Sequence, residues 1–422
     1  MQPYALTTSQ AEQVHAYLKA CAAGKGARAP TPAIVIGLCK HGLYLTRNFA
    51  RHGIPVLVIE SNFSQPSAHT RYGQRIFCPD LHGAALIDTL LALKSRVPAS
   101  TPIFPTNDRM VEVLLTHYGK LSDHFRLPFP EGDLLRRLVI KPALNRLASD
   151  AGLDVPRSFS IAGLEELEQV RDNLRFPVAV KPAMPMMSFK SRRCDDYATL
   201  AAQVEASALL HEPLIVQEWI EGDDRSILFG AYYISGNGDC LARYSGRKLM
   251  SYPALTGHAA ATESYDIGDR LDEGCRFLRC LGCWGLCSIE YKGLPPSEAR
   301  FIEVTVGRCD WWIMGCGING VNIPMAAYND LTGASLPFDN VQTSAYIWHD
   351  IEHALPVLAE NLLKRRWSLA DGAKYLIRPK KDALWDWRDP VPFLYSMPTC
   401  FLGFIAKLFR IIVRALRKNR LT

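Results

Sequence analysis

The 422-residue sequence lacks several features that would assign it to a class at once. It does not begin with the basic, apolar and small-residue pattern of a secretory signal, and no uncharged apolar run is long enough to span a bilayer. It has no internal repeat and no low-complexity tract. We therefore expect a cytoplasmic protein, and a hydrophobic content of 48% is enough for two or three packed domains.

The sequence also has little excess charge outside its C-terminal end. Its formal net charge is +6, and the residues after position 406 carry much of that excess without an acidic partner: Lys407, Arg410, Arg414, Arg417, Lys418 and Arg420. The rest of the chain is close to neutral, which argues against a nucleic-acid partner.

The C-terminal stretch has apolar residues at helical spacing and cations on its remaining face. This pattern predicts a basic amphipathic helix over Cys400–Lys418. Such a helix can lie on an anionic membrane surface, dock on a partner or pack back on its own domain. Peripheral contact with the inner face of the membrane through residues 400–418 is therefore one of three open interpretations.

Cysteines are scattered, but Cys280 and Cys283 have CxxC spacing. No second pair of the same kind follows, and the sequence runs directly into a predicted strand. We therefore interpret these cysteines as core and turn residues in a reducing compartment rather than as a zinc site.

The first ordered unit is predicted over residues 1–130. Ala33–Glu60 has the pattern of a strand, a turn, an amphipathic helix and a second strand. The turn contains Gly37 and Gly42 but not the full GxGxxG spacing. This pattern predicts a Rossmann-like domain without a dinucleotide fingerprint.

A later strand of this unit ends in polar residues, in Ile103–Asp108. Parallel sheets bind ligands at the carboxyl ends of their strands, so Thr106, Asn107 and Asp108 are candidate substrate contacts. Capping of the next helix by Asn107 or Asp108 is the competing interpretation.

A second unit is predicted over residues 131–340, followed by a C-terminal extension over 341–422. Phe176–Ala183 is an apolar run bounded by prolines, as a buried strand would be, and it carries Lys181 near its end. Burying an ammonium is costly unless an anion lies beside it, although a lysine at a strand end can also reach solvent. Leu214–Asp224 predicts another strand, which runs into an acidic turn.

Two glutamates stand on predicted neighbouring strands, Glu290 in SIEYKG and Glu303 in RFIEVTVGR. A Gly/Pro loop joins the two runs into a hairpin, and strand alternation would turn both acids to one face. Two carboxylates on one face can hold Mg²⁺. An ordinary surface hairpin with two glutamates is the alternative.

These features follow one another in an order that resembles the ATP-grasp superfamily, carboxylate–amine ligase type. The matching segments are Lys141, Lys181, QEWIEGDD from Gln217, GRKL from Gly246, Glu290, IEVTVGR from Ile302 and GVNIPMAAYNDLTG from Gly320. The resemblance covers Ala33–Phe338. It implies an α/β chain with a Rossmann-like N-terminal domain followed by an ATP-grasp fold of two α+β lobes, with a C-terminal basic amphipathic helical extension.

The resemblance also implies ATP and Mg²⁺ as cofactors, with Mn²⁺ as a substitute, and assigns a role to each matching position. Lys141 and Lys181 would bind phosphates, Glu218 and Ile220 would offer backbone groups to adenine, Trp219 would shape its pocket, and Asp224 would bind ribose. Lys248 and Arg247 would approach the γ-phosphate and acyl-phosphate, Glu290, Glu303 and Thr305 would bind metal, and Arg308 would stabilise charge at the reacting carbonyl.

Three departures from the family pattern affect these roles. Thr305 stands where the family usually has asparagine, so a second metal would be bound more weakly or through water. The phosphate-covering loop, Met184–Ser191, has no glycine, so Lys190 or Ser188 would cover the phosphates instead. GRCDWW, from Gly307, replaces the usual asparagine-proline-arginine run, and its Asp310 would bind an amine.

We therefore expect an ATP-dependent ligase that joins a small-molecule carboxylate to an amine, or to a thiol, through an acyl-phosphate and releases ADP and phosphate. One alternative is a catalytically impaired ATP-binding, membrane-recruited adaptor, which Thr305 and the glycine-free loop favour. A dehydrogenase using the first βαβ unit is the other. The aromatic residues Tyr252, Trp311 and Trp312, with His258, line a cleft or belong to the core; the sequence does not identify the substrates or the oligomeric state.

Overall fold

The computed structural model describes residues 6–23, 29–183 and 191–398, which form a mixed α/β structure. Two expectations lie outside these residues: a phosphate contact from Lys190 or Ser188, and the amphipathic helix over 400–418. Among the described helices, none is long and apolar enough to cross a membrane.

The N-terminal unit is a parallel sheet with strand order β3-β2-β1-β4-β5. Its elements are α1 Thr8–Ala22, β1 Ala33–Ile36, α2 Lys40–Arg51, β2 Val56–Glu60, β3 Gln74–Phe77, α3 Ala84–Leu93, β4 Thr101–Pro105, α4 Asp108–Thr116, α5 Tyr118–Ser122 and β5 Phe125–Arg126. Successive residues of β1 belong to different apolar clusters, because side chains alternate between the two covered faces of the sheet.

The carboxyl end of β4 approaches the turn after β1 very closely. Gly37 has a φ of +89°, and a Cβ there would lie 2.4 Å from Thr106 Oγ1, so this turn requires glycine. Asn107 accepts a hydrogen bond from the Met110 amide at 2.9 Å, which confirms the helix-cap interpretation for this residue.

The second unit is a four-stranded antiparallel sheet with order β6-β9-β7-β8. Its elements and the helices before it are α6 Leu134–Val139, α7 Lys141–Asp150, β6 Ser158–Ile161, α8 Leu164–Val170, β7 Val178–Pro182, β8 Arg192–Cys194, α9 Tyr197–Ala208 and β9 Leu214–Glu218. The predicted buried strand is β7, and it places Lys181 next to its last residue.

The third unit is a seven-stranded sheet with order β14-β13-β10-β11-β12-β15-β16. Its elements are β10 Ile227–Ile234, β11 Cys240–Tyr252, β12 His258–Ser264, α10 Asp269–Cys280, β13 Gly285–Lys292, β14 Arg300–Val306, α11 Trp312–Ile318, α12 Ile323–Thr332, β15 Ile347–His349, α13 Ile351–Leu363, α14 Leu369–Ile377 and β16 Lys380–Asp382. The last two strands come from the predicted C-terminal extension, so that segment completes the large sheet.

The glutamate hairpin is present as the sequence predicts. β13 and β14 pair antiparallel, and Glu290 is the register partner of Glu303. Cys275, Cys283 and Cys287 are buried, as the core interpretation of these cysteines predicts, whereas Cys280, the last residue of α10, is exposed.

The chain after β16 returns to the N-terminal unit and is held there by a buried ion pair. Arg47 Nε lies 2.8 Å from Asp389 Oδ2, and the two side chains are 5% and 1% exposed. Asp389 also accepts from the Arg71 amide at 3.0 Å. The pair therefore joins the first and last parts of the described chain.

We predict that Asp389→Ala lowers the free energy of unfolding by about 3–5 kcal/mol, because it leaves Arg47 buried without its anion. Denaturant unfolding of the purified chain measures this loss. In the matched control, Asp386→Ala, the partner Arg51 is 30% exposed, and the loss should be about 0–1 kcal/mol. Equal losses of unfolding free energy in the two variants would contradict the assignment of the Arg47–Asp389 pair as the contact that holds these two parts of the chain together.

Candidate active site

A cleft between the four-stranded and seven-stranded sheets brings together most of the residues that the sequence pattern selects. Its lining includes Lys141, Lys181, Glu218, Trp219, Ile220, Lys248, Glu290 and Glu303. An adjoining cavity shares Lys141, Lys181 and Glu303 with it and adds Thr305 and Arg308. The predicted phosphate and metal residues that the structure describes therefore line two adjoining spaces.

The two glutamates face each other across the hairpin beside a buried lysine. Lys248 Nζ lies 2.8 Å from Glu290 Oε2, and the lysine side chain is only 3% exposed. Burial lowers the pKa of Lys248, but attraction to Glu290, and then to Glu303 and Asp224, outweighs burial and raises it. Lys248 therefore remains an ammonium ion in the cleft.

The donor set of this hairpin fits a divalent cation. Glu290 and Glu303 supply hard carboxylate oxygens from register-paired positions, as Mg²⁺ and Mn²⁺ prefer. Thr305 lies two residues beyond Glu303 on β14 and so shares its face, where it can add a hydroxyl oxygen.

The two candidate phosphate lysines come from different elements but line the same space. Lys181 Nζ donates to Gln217 Oε1 at 2.8 Å. Lys141 is the first residue of α7, and its amide donates to the Ala183 carbonyl at 3.2 Å, which anchors this helix start to the end of β7. The structure thus holds two cations across the cleft from the two acids.

Trp219 forms part of the cleft wall between two cations. The Arg193 guanidinium carbon lies 5.0 Å and Lys292 Nζ 4.5 Å from the centre of its indole ring. The Glu218 amide already donates to the Arg157 carbonyl at 2.8 Å, and the Glu218 carboxylate pairs with Arg300 at 2.9 Å. A hydrogen bond from the Glu218 amide to an adenine base would have to compete with its bond to the Arg157 carbonyl.

Asp224 lies behind the cleft wall rather than in its lining. It is 2% exposed, and its Oδ2 accepts from the amides of Ser251 at 2.9 Å and Leu255 at 3.3 Å. Burial raises its pKa in spite of these bonds. Its Oδ1 has no hydrogen-bond partner among the described residues.

The structure does not bring Arg247 into the cleft. Adjacent residues of a strand point to opposite faces, and Lys248 occupies the cleft face. Arg247 Nη2 lies 2.7 Å from Glu263 Oε1, and the guanidinium lies over the ring of Tyr265. These residues line a separate pocket together with Arg225 and Arg378. Strand alternation alone indicates that only one of the two neighbouring cations can face the cleft.

Arg308 is held between two acids, one of them from the N-terminal unit. Its guanidinium forms a bidentate pair with Asp108, including an Nη2–Oδ2 distance of 3.1 Å, and Nη1 lies 2.6 Å from Asp310 Oδ2. Burial lowers the pKa of Arg308, but attraction to Asp310 and Asp108 has a larger effect and raises the pKa above its usual value, so Arg308 stays charged. Asp108 is thus an arginine partner at the strand end, a role that sequence reasoning missed.

A second cavity, of about 390 Å³, lies behind Asp310 and Trp311, and we call it the Trp311 cavity. It is lined by Cys39, Lys40, His41, Gln65, Pro66, Ser67, His258, Ala259, Asp310, Trp311, Met314, Trp348, Asp350, Glu352, His353, Ala383 and Leu384. The sequence left open whether His258 and Trp311 line a cleft or belong to the core, and both line this cavity. Trp312 is instead a core residue, and Tyr252 stacks on His353 with ring centres 4.5 Å apart.

Cys39 and His41 are neighbours in the lining of the Trp311 cavity. Cys39 stands at the N-cap of α2, and His41 Nε2 lies 2.9 Å from the Thr106 carbonyl. Burial raises the pKa of Cys39, but the neighbouring His41 charge and hydrogen bond outweigh it and lower the pKa. His41 is perturbed in the opposite direction, and its pKa rises to about 9 because Cys39 and then Asp310 offset the effect of its burial.

Comparisons with known proteins give distant relatives, and no protein-family model matches the chain. A D-aspartate ligase from Enterococcus faecium is 22% identical over 297 residues, which cover 63% of this chain and 69% of the relative. The uncharacterized protein y4rH from Sinorhizobium fredii is 25% identical over 214 residues, 49% of this chain and 44% of the relative.

Solved structures match over a larger share of the chain. The β,γ-ATP complex of biotin carboxylase from Campylobacter jejuni has a TM-score of 0.59 at 15% identity, covering 75% of this chain and 74% of that one. The ADP complex of N5-carboxyaminoimidazole synthetase from Staphylococcus aureus has a TM-score of 0.60 at 12% identity, covering 80% and 87%. At these identities the likeness establishes the fold alone.

We predict that Cys39 is alkylated by iodoacetamide faster near neutral pH than an ordinary buried thiol, because His41 stabilises its thiolate. His41→Gln removes that stabilisation and leaves burial, which raises the thiol pKa, so the alkylation rate at pH 7.5 should fall by roughly tenfold for each unit that the pKa rises. Mass spectrometry of the Cys39 peptide measures the rate. An unchanged rate in His41→Gln, with His117→Gln as the matched control, would show that the two side chains do not interact.

Proposed function

We propose that this chain, which has the ATP-grasp fold, is an ATP-dependent ligase that joins a carboxylate to an amine. The carboxylate would be converted to an acyl-phosphate, and attack by the amine would give an amide, ADP and phosphate. The observation that carries the proposal is the pairing of Glu290 with Glu303 across the cleft from Lys141 and Lys181. The parallel first sheet supports a Rossmann-like N-terminal domain.

The names of the similar proteins support the same reaction class. One sequence relative is named a ligase, and the matching solved structures are complexes with ATP or ADP of a carboxylase and a synthetase. Together they support ATP-dependent ligation at a general level, and the residues of the cleft supply the details of the proposal.

The cleft residues suit binding and charge neutralisation rather than strong acid–base catalysis. Lys141 and Lys181 would hold phosphate oxygens as point charges, and Trp219 and Ile220 would enclose the base. Glu290 and Glu303, with Thr305 directly or through water, would hold Mg²⁺, which neutralises charge on the transferred phosphate when bound. Lys248 would remain beside Glu290 and direct its ammonium to the same phosphate.

Arg308 would bind the substrate carboxylate and then stabilise negative charge at the reacting carbonyl. Arg308 is already paired with Asp108 and Asp310, so the substrate carboxylate would either share the guanidinium with these two acids or replace one of them. Asp310 would hold the amine on the side of Arg308 away from the phosphates. Cytoplasmic location and peripheral membrane contact through residues 400–418 remain part of the proposal.

We predict that Glu303→Gln reduces ATP turnover at least a hundredfold without unfolding the chain. Loss of an outer-shell partner of a metal costs about 10–100-fold, and loss of a direct ligand should cost no less. Phosphate release is measured with Mg²⁺, ATP and a pooled set of amino and carboxylic acids. The matched control is Glu298→Gln, in the exposed loop of the same hairpin, which should keep full turnover.

Retention of near-normal turnover by Glu303→Gln would remove Glu303 from the metal site. ATP binding by the unmodified chain without phosphate release in any pool would favour the adaptor alternative. Dependence on a nicotinamide instead would favour a dehydrogenase.

We also predict that Lys181→Met weakens ADP binding by about 10–100-fold, because a charge-assisted bond to phosphate is worth about 1.5–3 kcal/mol. Calorimetry with ADP and Mg²⁺ measures the change. Lys120→Met, at an exposed position on α5, is the control and should bind ADP normally. Equal affinities in the two variants would place the nucleotide phosphates elsewhere.

A further inference from the structure

The Trp311 cavity is separated from the candidate nucleotide cleft by two pairs of side chains. Lys248 Nζ lies 4.9 Å from the centre of the Trp311 ring, and the same ammonium is bonded to Glu290 in the cleft. Arg308 is bonded to Asp310, which lines the cavity. A molecule in the cavity would therefore lie next to the atoms proposed to hold the reacting carboxylate.

The charges around the cavity favour a cation. Its acids are Asp310, Asp350 and Glu352, and Lys40 Nζ lies 2.6 Å from Asp350 Oδ2 and 3.2 Å from Glu352 Oε2. Arg308 pairs with Asp310 from behind the wall but is shared with Asp108, so four acids face two fixed cations. Cys39 and His41 add no net charge as thiol and imidazole or as thiolate and imidazolium, and one positive charge as thiol and imidazolium, which still leaves the acids in excess. The lining thus has more negative than positive groups. Burial raises the pKa of Asp310, but attraction to Arg308 outweighs burial and lowers this pKa to about 2. Burial also raises the pKa of Asp350, but the hydrogen bond from His353 and the charge of Lys40 lower it to about 2, so both acids stay ionised.

The rest of the wall is apolar or aromatic. Trp311, Trp348 and Met314 line it together with Pro66, Ala259, Ala383 and Leu384. The volume of about 390 Å³ is within the range of small-molecule pockets. A small polar amine such as ammonia would leave most of this apolar surface uncovered.

We propose that the Trp311 cavity binds the amine substrate, and that this substrate carries its amine on an apolar or aromatic body. The proposal rests on the ligase function proposed above and assigns the chemical class of one substrate. Asp310 would draw the ammonium end toward Arg308, while Trp311, Trp348 and Met314 would contact the apolar body. Glu352, which is about one-third exposed, would attract the amine at the outer side.

The reaction at this wall is balanced without a further reactant. The amine loses a proton, its nitrogen forms a bond to the acyl carbon, and the bond from that carbon to the phosphate oxygen breaks. Phosphate leaves with the bonding electron pair, the nitrogen loses its second proton, and the product is a secondary amide. One of the two protons leaves with phosphate as hydrogen phosphate and the other passes to solvent.

Three probes of similar shape test the sign of the charge that the cavity accepts: phenethylamine, L-phenylalanine and 3-phenylpropionate. Each is titrated at millimolar concentration into the full-length chain with ADP and Mg²⁺, and binding is measured by calorimetry. Protection of Cys39 from iodoacetamide locates the bound probe, because Cys39 lines the cavity. We expect both amines to bind and to protect Cys39, and the carboxylate without an amine to do neither.

Two variants connect the binding to the acids. Glu352→Gln and Asp310→Asn should each weaken phenethylamine binding by roughly tenfold, the effect of about 1.4 kcal/mol. Glu352 lies outside the nucleotide cleft, so ADP affinity should stay unchanged in Glu352→Gln. Glu360→Gln on the same helix is the matched control and should bind both ligands normally, because Glu360 pairs with Lys364 and Arg366.

The outcomes separate this inference from the ligase proposal. Binding of ADP without protection of Cys39 by either amine, or tighter binding of 3-phenylpropionate than of phenethylamine, would overturn the cavity assignment and leave the ligase proposal intact. Binding of the amines at Cys39 by a chain that binds neither ADP nor ATP would support an amine cavity and overturn the ligase proposal.

Discussion

The register of the β13–β14 hairpin is the constraint on which the candidate site depends. It sets Glu290 opposite Glu303, and like charges at opposite positions of an antiparallel pair repel each other. Lys248, on β11 of the same sheet, offsets this repulsion because its buried Nζ lies 2.8 Å from Glu290 Oε2. A slip of β14 by one residue would turn Glu303 to the other face of the sheet and leave Glu290 without the second carboxylate.

The same need to pair buried charges connects the N-terminal unit to the site. Arg308 is 13% exposed, and a guanidinium removed from water requires anions close to it. Asp108 supplies one of them from the start of α4, and Asp310 supplies the other from the loop after β14. The carboxyl end of the first sheet therefore orients the arginine proposed to bind the reacting carboxylate, although none of its strands enters the nucleotide cleft.

Local patterns made the fold and part of the site predictable. The strand–helix–strand unit of Ala33–Glu60, the buried strand that carries Lys181 and the glutamate hairpin follow from side-chain periodicity and turn residues. The pairing of Asp108 with Arg308 joins residues far apart in sequence and has no local signal. The pattern GRK likewise did not show whether Arg247 or Lys248 faces the cleft, because that depends on which face of β11 the other sheet covers.

The wall between the nucleotide cleft and the Trp311 cavity has a further physical consequence. An acyl-phosphate would be hydrolysed if water reached it, so the reacting atoms must be shielded on the side from which the amine arrives. Lys248, Trp311, Arg308 and Asp310 form that side, and all are buried or partly buried. An amine with a large apolar body would fill the cavity, whereas ammonia would leave space in it that water could enter. The requirement to exclude water thus favours the same substrate class as the apolar lining does.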